Sequence, residues 1–384
     1  MVFINVPNVA RKVDGKINVS FRKYELQFKR PSGTSRGVLT SKPSWFIEIT
    51  DNTSNRKGTG ECSVIPGLSP DFSNENQYEF KLEFVVTELV KLLSEFDNFE
   101  SIELEENYRF SSSIILNFLH SMVDFPSIVF GIETALLDFF KETEGILFDN
   151  SFSRGERSIP INGLIWMGDA HFMQEQIEQK LLAGYSTIKM KIGAIDSNTE
   201  LSLLRGIRAR FNENEIILRV DANGAFNDEN TVSILQELES LRIHSIEQPI
   251  AKGNWNYMKD LCSMGIIPIA LDEELIGINT TSDKIILLEE IQPQYIILKP
   301  SLHGGIAGSY EWIQLAKERN IDWWMTSALE SSIGLNAIAQ FTGEFDVKIP
   351  QGLGTGGLYT NNLPTDLVIE KGQLIRKINE PPLN

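Results

Sequence analysis

The second half of the chain alternates short apolar runs with amphipathic segments. From residue 158 onward most apolar runs show little polar alternation, as parallel strands buried on both faces do. Eight such strands with helices between them, over about 200 residues, predict a (β/α)8-type barrel. On pattern alone a doubly wound sheet is the alternative. The strand candidates are 158–165, 186–192, 215–222, 244–248, 267–272, 295–300, 321–327 and 346–350, and the helix candidates include 196–211, 229–241, 254–263, 281–289, 305–318 and 331–340.

The first 125 residues have a different pattern, with strands followed by helices. Residues 17–29 and 45–51 alternate apolar and polar positions, which predicts an antiparallel sheet. Helical spacing follows at 74–96 and 111–120 and predicts an α+β domain. The Gly/Ser/Pro-rich stretch 30–37 between the strands is predicted to be a mobile loop, either a long hairpin connection or a lid.

Composition and charge exclude some classes of partner. The chain has 384 residues, 42% of them hydrophobic, and a net charge of −17. That charge argues against a nucleic-acid or anionic-membrane partner, since both require a basic face. It leaves open a small anionic substrate, which senses only the local field of its site. Two cysteines, no apolar run of about 18 residues and no signal-peptide pattern predict a cytoplasmic protein.

Acidic residues recur at the ends of successive strands. Asp221, Glu247 and Asp272 are 26 and 25 positions apart, which is one βα unit per step. In a barrel the carboxyl ends of the strands form the site, so the three carboxylates are expected at one level. Grouped carboxylates repel one another unless a cation neutralises them, and oxygen ligands suit Mg²⁺ or Mn²⁺. For each acid taken singly, an ion pair with a Lys or Arg is a simpler alternative to a metal site. For Asp221–Gly224 a further alternative is an ordinary Asx-Gly turn after the strand.

Three lysines accompany the acids. Lys189 and Lys191 share a strand face because they are two residues apart, and Lys299 follows Asp272 by one further unit. An ordinary lysine, with a pKa of about 10.4, is a poor base near neutrality, and a neighbouring ammonium and a nearby cation both disfavour its charged form. Lysines on either side of a metal-held carboxylate suit removal of the proton α to that carboxylate. Solvation of a strand end is the alternative for the first pair.

This set of residues resembles the enolase superfamily, in its muconate-lactonising subgroup. The resemblance covers essentially the whole chain and implies a (β/α)7β barrel with an N-terminal α+β capping domain. Residues 1–125 would form the cap, joined by the tail 366–384, and 126–365 the barrel. By resemblance, Asp221, Glu247 and Asp272 are the Mg²⁺ ligands. Lys189–Lys191 resembles the Lys-x-Lys motif of the superfamily. The other details resemble the o-succinylbenzoate synthase family most: Arg219 two residues before the first acid, Gly58–Glu61, Ser327–Ser332 and Gly352–Gly356.

That resemblance implies the syn dehydration of a cyclohexadiene carboxylate in menaquinone biosynthesis. Lys191 would take the α-proton and return it to the leaving hydroxide. Lys299 would stabilise the enediolate, and Lys189 would hold the substrate carboxylate. The stretch 30–37 would close over the substrate. The residues expected to bind the substrate are Arg219, Asn223, Ser327, Ser331, Ser332, Gly354 and Gly356.

Some of these expectations have alternatives that the sequence leaves open. The Ser331–Ser332 turn offers backbone N–H groups to a carboxylate or is an ordinary helix N-cap, and the glycines at 352–357 equally suit a turn of the chain. The competing reaction is 1,1-proton transfer by an N-acyl amino acid racemase or dipeptide epimerase with two lysine bases. A non-catalytic barrel that binds a partner is the remote alternative, and homo-oligomer formation stays open.

Overall fold

The computed structural model of the protein describes residues 16–34, 37–96 and 103–378. The strands are β1 Ile17–Thr34, β2 Gly37–Asp51, β3 Lys57–Ser63, β4 Ile159–Pro160, β5 Gly163–Ile165, β6 Thr187–Lys191, β7 Ile217–Asp221, β8 Ser245–Glu247, β9 Ile269–Leu271, β10 Tyr295–Leu298, β11 Asp322–Met325, β12 Leu367–Glu370 and β13 Gln373–Arg376. The helices are α1 Glu75–Ser94, α2 Ser113–His120, α3 Pro126–Phe140, α4 Ala170–Leu182, α5 Ser197–Arg208, α6 Thr231–Ser240, α7 Trp255–Met264, α8 Thr281–Ile291, α9 Gly305–Glu318 and α10 Ser332–Thr342. Within these residues no helix is long and apolar enough to cross a membrane.

Seven parallel strands form the central sheet, in the order β11-β10-β9-β8-β7-β6-β5. This sequential order is that of a barrel, and it excludes the doubly wound alternative, in which the strand order reverses partway. The two edges of the sheet approach each other through parallel bridges, Ile161 with Gln351 and Thr326 with Gly352. The predicted barrel is therefore confirmed. The eighth strand predicted at 346–350 is wrong, because single bridges at 351–352 take its place.

The N-terminal sheet is antiparallel, in the order β1-β2-β3. The stretch predicted as a mobile loop, 30–37, largely continues the hairpin: Ser32 pairs with Leu39 and Thr34 with Gly37, after an irregularity between Gln27 and Ser32. The mobile loop is therefore wrong for the described residues, the closure of this stretch over a substrate stays a prediction, and positions 35 and 36 lie outside the described residues. Phe28, in the irregular stretch of β1, forms an antiparallel bridge with Tyr359.

Helix α3 packs directly on strand β3 through glycines. A Cβ atom added to Gly60 would lie 1.9 Å from the Gly131 carbonyl oxygen, and one added to Gly58 would lie 2.2 Å from that of Ala135. These backbones can approach so closely because no side chain separates them. The contact joins the N-terminal sheet to the helix that leads into the barrel.

We expect Gly60→Ala to destabilise the fold by about 3 kcal/mol, because its Cβ would overlap backbone atoms that cannot move independently. The matched control is Gly206→Ala in α5, where nothing lies within 4 Å of the added atom. That change should stabilise the helix by about 0.5–1 kcal/mol. Urea unfolding of both variants measures the difference. Equal stability of the two variants would contradict the close packing of α3 on β3.

Several elements were not predicted from the sequence. Helix α4 was missed, although Asp169 caps it through the Phe172 N–H and Met173 and Ile177 follow at a four-residue spacing. Strands β3, β12 and β13 were also missed. Residues 367–376 form a hairpin that pairs with β4. The division into a cap of 1–125 and a barrel of 126–365, with the tail joined to the cap, stays a prediction.

Candidate active site

The register of the parallel strands brings the predicted acids and lysines to one end of the barrel. Lys191 pairs with Asp221, and Asp221 pairs with Glu247 on the next strand. Asp272 directly follows β9 and Lys299 directly follows β10. Since β7, β8 and β9 lie between β6 and β10, the lysine strands flank the strands of the acids. The structure thus places the acids and lysines at one level of the barrel, as their spacing of one βα unit predicted.

Each of the three acids contacts a lysine. Asp221 Oδ2 is 3.0 Å from the Nζ atoms of both Lys189 and Lys191. Lys189 also forms an ion pair with Glu247. Lys299 Nζ lies 2.5 Å from Asp272 Oδ2.

The three acids do not form a ready-made cluster of ligands. Among the described residues, no group of three His, Cys, Asp or Glu side chains is arranged to hold a metal ion. The simpler alternative, an acid with a basic partner, therefore describes the observed contacts. A metal site at these acids stays a prediction.

The ionic network shifts the pKa values of both kinds of group. Burial opposes the charge on Lys189, but Asp221 and Glu247 outweigh it and raise its pKa. Burial likewise opposes the charge on Lys299, and Asp272 reverses the effect and raises the pKa. From the sequence we expect a nearby cation to lower the lysine pKa values. The pKa values of Lys189 and Lys299 are raised instead, because the carboxylates stabilise the charged lysines.

Glu247 is the least compensated of the three acids. Burial raises its pKa well above the ordinary value, and the neighbouring charges of Asp221 and Asp272 raise it further. Asp272 Oδ1 is buried and accepts no hydrogen bond from any described residue. Acids that repel one another, with an oxygen left unpartnered, are suited to a divalent cation. The donor set therefore fits Mg²⁺ or Mn²⁺.

Asn223 serves both the predicted turn and the site. It has a φ of 44°, and Gly224 follows with 76°, as two successive left-handed residues of a tight turn. Its Oδ1 accepts a hydrogen bond from Lys191 Nζ at 2.6 Å, and its Nδ2 donates to Glu273 Oε1 at 3.1 Å. The turn therefore holds an amide that positions Lys191. Glu273 was not predicted as a site residue, although it immediately follows Asp272.

A cavity of about 360 Å³ opens over these groups. Most of the predicted site residues line it: Lys189, Lys191, Asp221, Asn223, Glu247, Asp272, Lys299, Ser327 and Gly354. Its remaining wall includes Lys29–Ser32 of the hairpin, of which 30–32 belong to the stretch expected to close over the substrate. It also includes Leu68, Trp166 and Phe172, which were not predicted as site residues. Four predicted substrate contacts, Arg219, Ser331, Ser332 and Gly356, do not line it.

Arg219 lies deeper in the barrel than expected. It shares a strand face with Asp221 but precedes it by two residues, about 6.6 Å along a strand. Its Nη1 donates to the Pro350 carbonyl at 2.7 Å, and its guanidinium lies 4.2 Å from the centre of the Trp324 ring. The side chain is 1% exposed. Arg219 therefore packs in the barrel interior below the acids, its position does not support a substrate contact, and that contact stays a prediction.

The N-terminus of α10 is already occupied by a carboxylate of the N-terminal sheet. Glu61 Oε2 accepts the N–H groups of Ser331 at 2.9 Å and Gly334 at 3.0 Å, and also the Ser331 hydroxyl at 2.6 Å. The Ser332 N–H donates to Asn362 Oδ1 at 2.9 Å. The donors expected to bind a substrate carboxylate are thus bonded within the protein. The N-cap alternative is confirmed for Ser331, whose side chain accepts the Ile333 N–H.

Gly356 also contributes to the internal structure. Its carbonyl oxygen accepts the Nδ2 group of Asn362 at 2.9 Å, and the same Asn362 side chain holds the Ser332 N–H. The segment after the barrel's last bridge therefore packs on the start of α10. Of the predicted glycines, Gly354 lies at the cavity, while the predicted substrate contact of Gly356 is not supported by its position.

The chain is similar to a known protein family and to several characterised enzymes. The model of the family described as enolase C-terminal domain-like matches residues 172–374. The chain is 46% identical over 374 residues to the o-succinylbenzoate synthase of Desulfotalea psychrophila, which covers 93% of this chain and 98% of that protein. It is 22% identical over 332 residues to the L-Ala-D/L-amino acid epimerase of Maribacter sp., covering 86% and 88% of the two chains.

Solved structures agree over nearly the whole length. The crystal structure of MenC from Desulfotalea psychrophila superposes with a TM-score of 0.78 at 42% identity, covering 94% of this chain and 100% of that one. The dipeptide epimerase from Cytophaga hutchinsonii, complexed with Mg and the dipeptide D-Ala-L-Val, gives a TM-score of 0.70 at 20% identity, covering 93% and 92%. The second likeness shows a shared fold.

Proposed function

Because the chain belongs to the enolase superfamily, we propose that it is an o-succinylbenzoate synthase, which dehydrates 2-succinyl-6-hydroxy-2,4-cyclohexadiene-1-carboxylate. The observation that carries this choice is the 46% identity to an o-succinylbenzoate synthase across 93% of the chain. The epimerase relatives are far less similar. The chain would then act as a carbon–oxygen lyase in menaquinone biosynthesis, on a small anionic carboxylate. A cytoplasmic location stays a prediction.

The cavity residues suit a proton transfer on one face of the substrate. Lys191 Nζ would take the proton from the carbon next to the carboxylate. The electron pair of that C–H bond forms the new double bond, the C–O bond breaks, and the proton on Lys191 leaves with the hydroxide as water. In a syn elimination both steps use one face, so one base suffices. Asn223 would keep Lys191 in place through its 2.6 Å hydrogen bond.

The other two lysines would act by charge. Lys189, which contacts Asp221 and Glu247, would attract the substrate carboxylate to the level of the acids. Lys299 follows β10, on the far side of the acid-bearing strands from β6. It would stabilise the negative charge that spreads onto the carboxylate as the proton leaves.

Enzymes of this superfamily generally use a divalent metal ion. In this chain Asp221, Glu247 and Asp272 would hold it, and Mg²⁺ or Mn²⁺ suits their oxygen atoms. The ion would supply positive charge to the substrate carboxylate. Carboxylates engaged by a cation would no longer neutralise the lysines, so the raised pKa values of Lys189 and Lys299 would fall and Lys191 would lose its Asp221 partner.

The second candidate is epimerisation of an N-acyl amino acid or a dipeptide. The specific observation that favours it is the position of lysines on both sides of the acids, since 1,1-proton transfer needs one base per face. The geometry alone therefore supports removal of an α-proton and accommodates both reactions. The near-full-length similarity to the synthase decides between them.

A substrate panel tests the proposal. The purified enzyme with Mg²⁺ is offered the cyclohexadiene carboxylate, N-succinyl amino acids and dipeptides, and dehydration and racemisation are followed separately. We expect rapid dehydration of the first substrate. Robust racemisation without dehydration would overturn the proposal in favour of the epimerase. Lack of both activities, in a folded protein, would favour a non-catalytic barrel.

A further inference from the structure

A second cavity, of about 340 Å³, lies between α2, α3 and the N-terminal ends of α8 and α9. It shares no wall residue with the cavity over the acids and lysines. Much of its wall is hydrocarbon, including Phe110, Leu116, Leu119, Val123 and Val129. A space of this size with a largely apolar wall and a few polar groups is typical of small-molecule sites.

His303 presents an unsatisfied donor in this wall. Its Nδ1 accepts the backbone N–H of Lys299 at 3.0 Å. Because a backbone N–H is always a donor, Nδ1 carries no proton and the neutral ring bears its hydrogen on Nε2. The residue is 4% exposed, and Nε2 has no hydrogen-bond partner in the described part of the chain. A buried donor without an acceptor is costly, and an oxygen atom of a ligand in the adjoining cavity would relieve that cost.

Among the charged side chains of this cavity, the positively charged Arg109 is not neutralised by an ion pair with any described residue. Lys284 and Glu311 pair with each other at 2.7 Å. The Glu133 carboxylate accepts the N–H groups of Ile306 and Ala307, at the start of α9. Arg109 lines the cavity. Its guanidinium has no ion pair or hydrogen bond with another described side chain.

Glu133 adds little negative charge to this field at neutral pH. Burial raises its pKa to about 8, against the opposing effect of the two N–H groups. A carboxyl group that stays largely protonated does not repel an anion. With Lys284 and Glu311 cancelling each other, Arg109 sets the sign of the local field.

We propose that this second cavity binds a small carboxylate with a hydrocarbon body, of about the size of benzoate. The ligand carboxylate accepts the hydrogen of His303 Nε2 and faces Arg109, and its hydrocarbon part packs on the apolar wall. The same imidazole bonds to the backbone of Lys299, so the bound ligand is one residue removed from a lysine of the candidate active site. This binding site is separate from the proposed reaction and does not depend on it.

Benzoate is the probe, and isothermal titration of the whole protein is the measurement. The parent should bind benzoate, while benzylammonium, a similar ring with the opposite charge, should not bind. His303→Phe keeps a flat ring and removes the donor, and it should weaken binding at least tenfold. Val123→Trp fills the cavity from a partly exposed position and should weaken binding similarly even if His303→Phe folds poorly.

The control for the first cavity is Lys191→Ala, since benzoate could also meet the lysines there. We expect that variant to bind benzoate within twofold of the parent. Loss of binding in Lys191→Ala, unchanged affinity in both His303→Phe and Val123→Trp, or no binding by the parent would overturn the proposal. The last result would mean that water alone satisfies Nε2. Because no turnover is measured, these outcomes are independent of whether the enzyme dehydrates its proposed substrate.

Discussion

Lys191→Ala is expected to abolish dehydration, with a loss of about 10²–10⁴-fold or more in kcat. Lys191 is the lysine that Asn223 and Asp221 hold at the end of β6, at 2.6 and 3.0 Å. Alanine removes the proton acceptor, and the neighbouring Lys189 is already engaged by two carboxylates. Steady-state kinetics with the cyclohexadiene carboxylate measures the loss. Circular dichroism should show an unchanged fold.

A matched pair of arginine variants separates the roles of the two lysines. Lys191→Arg and Lys299→Arg each keep a positive charge, but arginine stays protonated and cannot serve as a base. We expect Lys191→Arg to be as inactive as Lys191→Ala, whereas Lys299→Arg should retain measurable dehydration. An epimerase needs both bases and would lose racemisation in either variant. Dehydration that disappears equally in both arginine variants would contradict a purely electrostatic role for Lys299.

Glu247→Gln is expected to weaken Mg²⁺ binding and turnover together, by at least about tenfold in affinity, since a coordinating charge is worth more than about 1.4 kcal/mol. The amide nearly preserves the shape of the side chain and removes one of three neighbouring negative charges. It also relieves the burial and repulsion that raise the pKa of Glu247. Lys189 loses its Glu247 partner but keeps Asp221, so the variant should still fold and bind the ion poorly. Calorimetric titration with Mg²⁺ measures the affinity directly.

Glu274→Gln is the control for this prediction. Glu274 is also a buried acid, but its carboxylate accepts hydrogen bonds from Gln248, Gly253 and Trp255 and does not line the cavity. Its replacement should leave the Mg²⁺ titration unchanged. If Glu247→Gln titrates with Mg²⁺ like the parent, Asp221, Glu247 and Asp272 are not the metal ligands.

The sequence by itself determined the alternation of parallel strands and helices and the charged groups at the carboxyl ends of the strands, whereas the observed strand order decided between a barrel and a doubly wound sheet. Apolar runs at a regular spacing predict parallel strands, and a charged residue at the end of each run reaches the same level as its neighbours. For that reason the sequence predicts Lys191, Asp221 and Glu247 side by side, and the strand register confirms this. These features can be predicted from local sequence, because the alternation of side chains along a strand and the length of one βα unit depend on neighbouring residues alone.

Packing between distant segments decided the rest. Glu61 fills the N-terminus of α10, 270 positions away along the chain, so donors predicted for a substrate are bonded internally. Arg219 shares the face of Asp221, but only its contacts with Pro350 and Trp324 show that it lies below the site. The hairpin wall of the cavity and the donor of His303 likewise depend on how separate elements meet. A sequence pattern shows which face of a strand or helix a side chain lies on. The residue that this side chain contacts, and its depth in the protein, depend on the three-dimensional packing of the whole chain.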